Sequence, residues 1–187
     1  MRIISGVARG TKLYTLEGEN TRPTLDRVKE PLFSIIQAEI TDSIVLDLFS
    51  GSGALALEAL SRGAKKAILC DKSREAIDVI KKNIEKTHLE DKTKVLCMDY
   101  KKCLDTIEEK IDIIFIDPPY KLDIAVKSIE KILERQLLSE QGLIILETDD
   151  EERELQEIKN LKFNIKIIDL RTYGRVKLIF LMEEKRG

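Results

Sequence analysis

The sequence predicts an α/β fold: a mostly parallel sheet with helices on both faces, ending in an antiparallel pair of strands. Three observations carry this. From Ser43 onward, short apolar runs alternate with amphipathic stretches of helical length. The runs are apolar at consecutive positions, as expected of strands covered on both faces. The last two runs have no helical stretch between them and meet at Gly174, which suits a hairpin.

The elements follow in order. Residues 1 to 16 hold Arg2, Arg9 and Lys12 and no acid, with β-favouring residues broken by Gly6 and Gly10, the pattern of a short basic hairpin. Residues 17 to 23 read as loop. Thr24 can cap a helix running to about Ile40 that carries Leu25, Val28, Leu32, Phe33, Ile35 and Ile36, and Pro31 should kink or divide it. Ile44 to Phe49, Lys66 to Cys70, Lys94 to Met98, Ile111 to Ile116 and Leu143 to Leu146 read as parallel strands separated by helices. Phe163 to Thr172 and Arg175 to Met182 form the closing pair. The acid-rich stretch from Asp149 to Glu157 reads as a solvated helix face, and His88 as an exposed residue at a helix end.

At 187 residues and 43% hydrophobic content, the chain suits one compact domain: the hairpin and loop over 1–23 are appended to a main unit over 24–187. Its apolar runs are too short to span a membrane and Met1-Arg2-Ile3 opens no secretory signal, so a cytoplasmic protein is expected. Cys70, Cys97 and Cys103 lack Cys-x-x-Cys spacing; they read as buried structural thiols, with neither a disulfide framework nor a metal site. The net charge of −2 gives no bulk support to nucleic-acid binding, so such a role needs a local patch. The hairpin supplies one.

The segment Asp47-Leu48-Phe49-Ser50-Gly51-Ser52-Gly53-Ala54 lies where the first parallel strand turns into a helix. Gly51 and Gly53 permit a tight turn whose backbone approaches a ligand closely. No Gly-Lys-Ser/Thr follows, so this is not a phosphate-cradling P-loop. Gly51-x-Gly53-x-x-Ala56 also fits a dinucleotide fingerprint, and an NAD-linked oxidoreductase is the reading to weigh against it. Asp47 separates the two. A carboxylate before the turn repels a pyrophosphate but suits a cationic amino-acid moiety without phosphates, which describes S-adenosylmethionine. Asp71 at the next strand end is then placed for both ribose hydroxyls, and Asp99 after the third strand for the adenine amino group, with Tyr100 or Met98 packing on the ring.

Asp117-Pro118-Pro119-Tyr120 follows the fourth strand. Two prolines fix the backbone and remove two N–H donors, leaving carbonyl acceptors beside the Asp117 carboxylate. Such a loop suits a substrate that donates hydrogen bonds. An exocyclic amine on an aromatic ring is a poor nucleophile because its lone pair is delocalised into the ring. Accepting both of its N–H groups, at Asp117 and the Pro118 carbonyl, favours a tetrahedral nitrogen and frees that pair. Tyr120 can stack on the base.

On these residues the chain resembles the RsmD family of bacterial 16S rRNA guanine-N2 methyltransferases across nearly its full length. The resemblance is carried by Ile3-Ile4-Ser5-Gly6 with Arg9-Gly10-x-Lys12-Leu13, by Arg22-Pro23-Thr24-x-Asp26-Arg27-Val28-Lys29-Glu30-x-Leu32-Phe33, by the glycine turn through Leu55, and by the Asp117 loop. Of these, the Arg22 to Phe33 segment is the most specific. The resemblance implies a class I methyltransferase, Rossmann-like fold, S-adenosylmethionine as donor, and a guanine of 16S rRNA as acceptor, on an assembled or partly assembled small subunit. It implies that Arg22 and Thr24 lie over a cofactor pocket whose other members are Asp47, Phe49, Ser50, Gly51, Gly53, Ala54, Asp71, Lys72, Asp99, Tyr100 and Asp117. It also implies that Arg2, Arg9, Lys12 and Arg27 hold RNA. Arg171, Arg175 and Lys177 near the last turn read as an extension of that face or as a plain charged hairpin. Rivals with the same loop are methylation of adenine N6 or of a protein glutamine; a rival of another class is a catalytically silent RNA-binding assembly protein.

Overall fold

A computed structural model describes residues 1–17, 23–119 and 123–184, with the backbone alone at 23–25. Among these residues the strands form one seven-stranded sheet in the order β3-β2-β1-β4-β5-β7-β6. The strands are β1 (Ile44–Asp47), β2 (Lys66–Asp71), β3 (Thr93–Cys97), β4 (Ile111–Ile116), β5 (Leu138–Thr148), β6 (Ile165–Tyr173) and β7 (Val176–Glu183). The first five pair in parallel; β7 runs antiparallel to both β5 and β6. This is the α/β, Rossmann-like arrangement that the alternation of runs predicts.

The helices are α1 (Pro23–Ile35), α2 (Gln37–Ile40), α3 (Ala54–Ser61), α4 (Arg74–Thr87), α5 (Tyr100–Thr106), α6 (Ile124–Glu134) and α7 (Glu151–Lys159). They bury two apolar layers. On one face the hairpin, α1, α3 and α4 pack against Val45, Ala67, Leu69, Ile113 and Phe115. On the other, α5, α6 and α7 pack against Leu46, Ile68, Ile114, Ile116 and Leu146. Alternate residues of β1, β2 and β4 thus serve opposite cores, which is why these strands have no polar face. Phe33 of α1 lies 5.9 Å from Phe115 of β4, ring centre to ring centre, and truncating such a buried ring costs about 3–5 kcal/mol.

Four expectations are corrected. The first helix begins at Pro23, so Thr24 lies inside its first turn rather than capping it, and proline suits that first position because its missing N–H would be unpaired anyway. The helix runs through Pro31 and breaks only at Ile36, where φ −96° and ψ 16° interrupt it before α2. Cys70 and Cys103 are buried, but Cys97 is exposed because β3 is an edge strand. β5 begins at Leu138, five residues before the expected Leu143, whereas β4 has the predicted ends, His88 closes α4 as an exposed left-handed residue, and the acidic stretch forms α7.

The N-terminal segment folds back as a short hairpin, with Arg2 bridged to Lys12 and the Ile3 amide donating to the Thr11 carbonyl at 3.0 Å. It is not a free arm, since Ile3, Ala8 and Leu13 are buried in the same layer as α1 and α3. At its tip, Gly6 has φ +88° and a Cβ there would lie 1.7 Å from the Ser61 carbonyl oxygen. Only glycine allows this approach, which lets the Val7 amide donate to that oxygen at 2.9 Å.

Candidate active site

In this strand order the connections reverse between β1 and β4, and ligands of open parallel sheets bind at the carboxyl ends of such neighbours. Asp47 closes β1 opposite Phe115, and Asp117 follows β4 two residues later. The sheet therefore sets these carboxylates side by side. Between them opens a cavity of about 610 Å³, within the range of small-molecule sites.

The glycine turn forms one wall. Gly51 and Gly53 take positive φ, and the Ser50 amide donates to the Cys70 carbonyl at 2.9 Å. Asp71 holds the turn to β2: its Oδ2 accepts from the Gly51 amide at 3.0 Å while its Oδ1 accepts from the Ser73 amide at 2.9 Å. Each oxygen keeps a lone pair for a ligand hydroxyl. Asp47 is almost fully buried, and neither its Oδ2 nor the Ser50 Oγ has a hydrogen-bond partner among the described residues. Burial raises the Asp47 carboxyl to about 7; the nearby Ser50 hydroxyl, though outside hydrogen-bonding geometry, and the Ala56 amide oppose the shift, and the Asp71 charge adds to it. A buried carboxyl oxygen without a partner among the described residues, at a cavity wall, suits a cation or a donor supplied from outside.

Asp99 caps α5 by accepting from the Lys101 amide at 2.9 Å and stands exposed at the cavity. Tyr100 is buried with its ring 5.6 Å from that of Phe49, and burial raises its phenol, with Asp99 adding to the effect. The two rings and Met98 make an apolar wall suited to a flat heterocycle. Asp117 and Pro118, half-buried, and Pro119, exposed, line the same cavity.

Of the predicted cofactor and catalytic residues, Asp47, Phe49, Ser50, Gly51, Ala54, Asp71, Lys72, Asp99, Tyr100, Asp117, Pro118 and Pro119 line this one cavity. Gly53 stands just behind it as the cap of α3, where an added Cβ would meet Leu69 at 3.0 Å. Arg22, Tyr120 and the Thr24 side chain lie outside the described residues. Arg2, Arg9, Lys12 and Arg27 are exposed and away from the cavity lining. No cluster of His, Cys, Asp or Glu fit to hold a metal occurs among the described residues, nor a helix long and apolar enough to cross a membrane.

Sequence reasoning missed several wall residues, among them Met1, Leu16, Glu147 and Val176. Glu147 had a signal, an acid directly after the apolar run of β5. Met1, Leu16 and Val176 had none, since only the fold brings them here. Asn83 was also missed. Fully buried in α4, it accepts from the Tyr14 amide at 2.7 Å and donates to the Tyr14 carbonyl at 3.0 Å and the Ser52 carbonyl at 2.9 Å. One amide thereby fixes the hairpin to the glycine turn.

Comparison with known proteins adds to this geometry. Residues 1–182 match the family described as Conserved hypothetical protein 95. The chain is 36% identical over 154 residues to the Ribosomal RNA small subunit methyltransferase D of Haemophilus influenzae, covering 80% of this chain and 79% of that protein. It is 35% identical over 151 residues to the protein of the same name from Escherichia coli strain K12, covering 81% and 76%. A solved structure named "Putative methyltransferase yhhF from Escherichia coli" superposes with a TM-score of 0.87 at 31% identity, covering 100% of this chain and 99% of that one.

Proposed function

The chain belongs to the family described as Conserved hypothetical protein 95, the RsmD family, and from that premise we propose that it methylates the exocyclic N2 amine of a guanine in 16S rRNA. The methyl donor is S-adenosylmethionine, and the substrate is an assembled or partly assembled small subunit. The single observation that carries this reading is the pairing of two carboxylates across one cavity: Asp47, buried with an unpartnered oxygen, and Asp117, on a proline loop two residues beyond Asp47's strand partner.

The residues present fit this cofactor. Asp47 and Ser50 offer orphaned acceptors to its amino group, Asp71 keeps lone pairs for the ribose hydroxyls, and Phe49, Met98 and Tyr100 wall the place of the adenine, with Asp99 at its edge. Lys72 and the backbone of Gly51, Gly53 and Ala54 complete the pocket. When bound, S-adenosylmethionine supplies an electrophilic methyl group on a sulfonium.

The chain's own residues then prepare the nucleophile. Asp117 and the Pro118 carbonyl accept the two N–H groups of the guanine amine, and Pro119 keeps the loop from supplying a competing donor. Tyr120 stacks on the base. As the new C–N bond forms, positive charge grows on the nitrogen and the Asp117 carboxylate stabilises it. The hairpin, through Arg2, Arg9 and Lys12, and Arg27 of α1 hold the RNA around the reacting base.

Transfer of labelled methyl groups to 30S particles, followed by digestion to nucleosides, tests this directly. N2-methylguanosine as the labelled product is the expected result. Label in N6-methyladenosine or in protein would overturn the assignment of the acceptor, and no label would leave the chain without this activity.

A further inference from the structure

Charge is unevenly placed along this chain. It carries 32 bases against 34 acids, yet residues 1–16 contain three bases and no acid, and residues 170–182 contain Arg171, Arg175 and Lys177 and again no acid. Far apart in sequence, both segments reach the same cavity: Met1, Leu16 and Val176 all form part of its wall. Val176 is buried in the layer that holds Ile3 and Leu13, and Met1 and Tyr173 pack against it.

The turn between β6 and β7 is placed beside the reacting loop. In the order β4-β5-β7, neighbouring strands are about 4.8 Å apart, so β7 runs about 10 Å from β4. Lys177 pairs with Thr148 at the carboxyl end of β5, two residues beyond the level where Leu146 pairs with Ile116. The turn therefore extends past the sheet edge on the side where Asp117 begins. The tip of the turn is open: a Cβ on Gly174, at φ +63°, would meet no atom within 4 Å.

Its cations differ in availability. Arg171 is paired with Asp169 at 2.9 Å, whereas exposed Arg175 forms no ion pair among the described residues. Lys177 donates to the Thr172 hydroxyl at 3.2 Å, a neutral partner that orients the amine and leaves its charge uncompensated. We propose that the β6–β7 turn, through Arg175 and Lys177, is a second RNA contact that grips backbone phosphates next to the target nucleotide, beside the cavity that the N-terminal hairpin also lines. This rests on the rRNA reading above. The two acid-free segments then hold the strand beside the nucleotide presented to Asp117.

The test uses the full chain and protein-free 16S rRNA, with binding measured over a salt series for wild type, for Arg175→Gln with Lys177→Gln, and for Arg9→Gln with Lys12→Gln. The turn variant is expected to flatten the slope of log affinity against log salt by about 1 to 2, one for each phosphate that is no longer neutralised. It should also raise KM for RNA several-fold with kcat little changed, because uniform binding is removed, while calorimetric affinity for S-adenosylmethionine stays at the wild-type value and reports an intact fold. An unchanged slope and KM, with the hairpin variant flattened, overturns the turn contact alone. A defect seen with 30S particles but absent with protein-free rRNA also overturns it, since the partner is then a ribosomal protein. If wild type itself neither binds nor methylates the rRNA, whether protein-free or in 30S particles, the rRNA reading fails together with this proposal.

Discussion

Glu58 and Lys29 form a fully buried ion pair at 3.2 Å beneath the N-terminal hairpin. The Glu58 carboxylate also accepts from the Ile4 amide at 2.9 Å, the Ser5 amide at 3.1 Å and Arg62 Nε at 2.8 Å, and the Lys29 amine donates to the Arg2 carbonyl at 2.5 Å. Burial lowers the Lys29 ammonium, with Glu58 opposing the shift. One acid of α3 thus joins the hairpin to α1, and the cost of burying charge is met by the number of donors around it.

Glu58→Ala leaves the Lys29 ammonium buried without its main partner and should destabilise the fold by about 3–5 kcal/mol in urea denaturation. Adding Lys29→Met to that variant should recover a substantial part of the loss. A double variant no more stable than Glu58→Ala would show that the hairpin contacts, and not the charge pair, carry the effect.

Asp47 links pH to stability in the ligand-free protein. Its carboxyl titrates near 3.8 in the unfolded chain and about 7 in the fold, so the folded state holds the proton more tightly. Stability from this group is present below the unfolded value and is lost as pH rises toward 7. Asp47→Asn should therefore stabilise the ligand-free protein at pH above 7, on the order of 2–4 kcal/mol, and abolish tight cofactor binding. Equal pH dependence in wild type and variant would contradict this. With Asp47 present, affinity for S-adenosylmethionine should fall with acidification below 7, since the cationic amino group needs the carboxylate.

Asp71 fixes the Gly51 turn and, in the proposed complex, the ribose. Asp71→Ala should weaken S-adenosylmethionine binding by on the order of 1.5–3 kcal/mol, the scale of lost charged hydrogen bonds. Calorimetry gives the answer, and an unchanged affinity would remove Asp71 from the cofactor site.

Much of the fold was legible because consecutive apolar positions and helical spacing are local properties. The runs at Ile44, Lys66, Thr93 and Ile111 each became a strand within two residues of their predicted ends. The first half of β5 was not legible: Ser139, Glu140 and Gln141 break the apolar run, and the pairing with β4 shifts register between Ile111 and Ile113. In the site, Asp47, Asp71, Asp99 and Asp117 could be found because each ends or follows a strand. Glu58 is a lone acid in Leu57-Glu58-Ala59-Leu60, but apart from Arg62 one helical turn on, its partners lie tens of residues away, and only the fold reveals them. Asn83 gave no signal at all, as an amide in an amphipathic helix ordinarily faces solvent.

Asp117 bears most directly on the proposed chemistry. Asparagine there keeps the size and one acceptor oxygen but removes the charge that balances the cation forming on nitrogen. Single-turnover methylation of 30S particles at saturating S-adenosylmethionine isolates that step from product release. The expected result for Asp117→Asn is a rate lower by roughly two to three orders of magnitude with cofactor affinity nearly unchanged. A rate within a few-fold of wild type, or a joint loss of folding and cofactor binding, would contradict it.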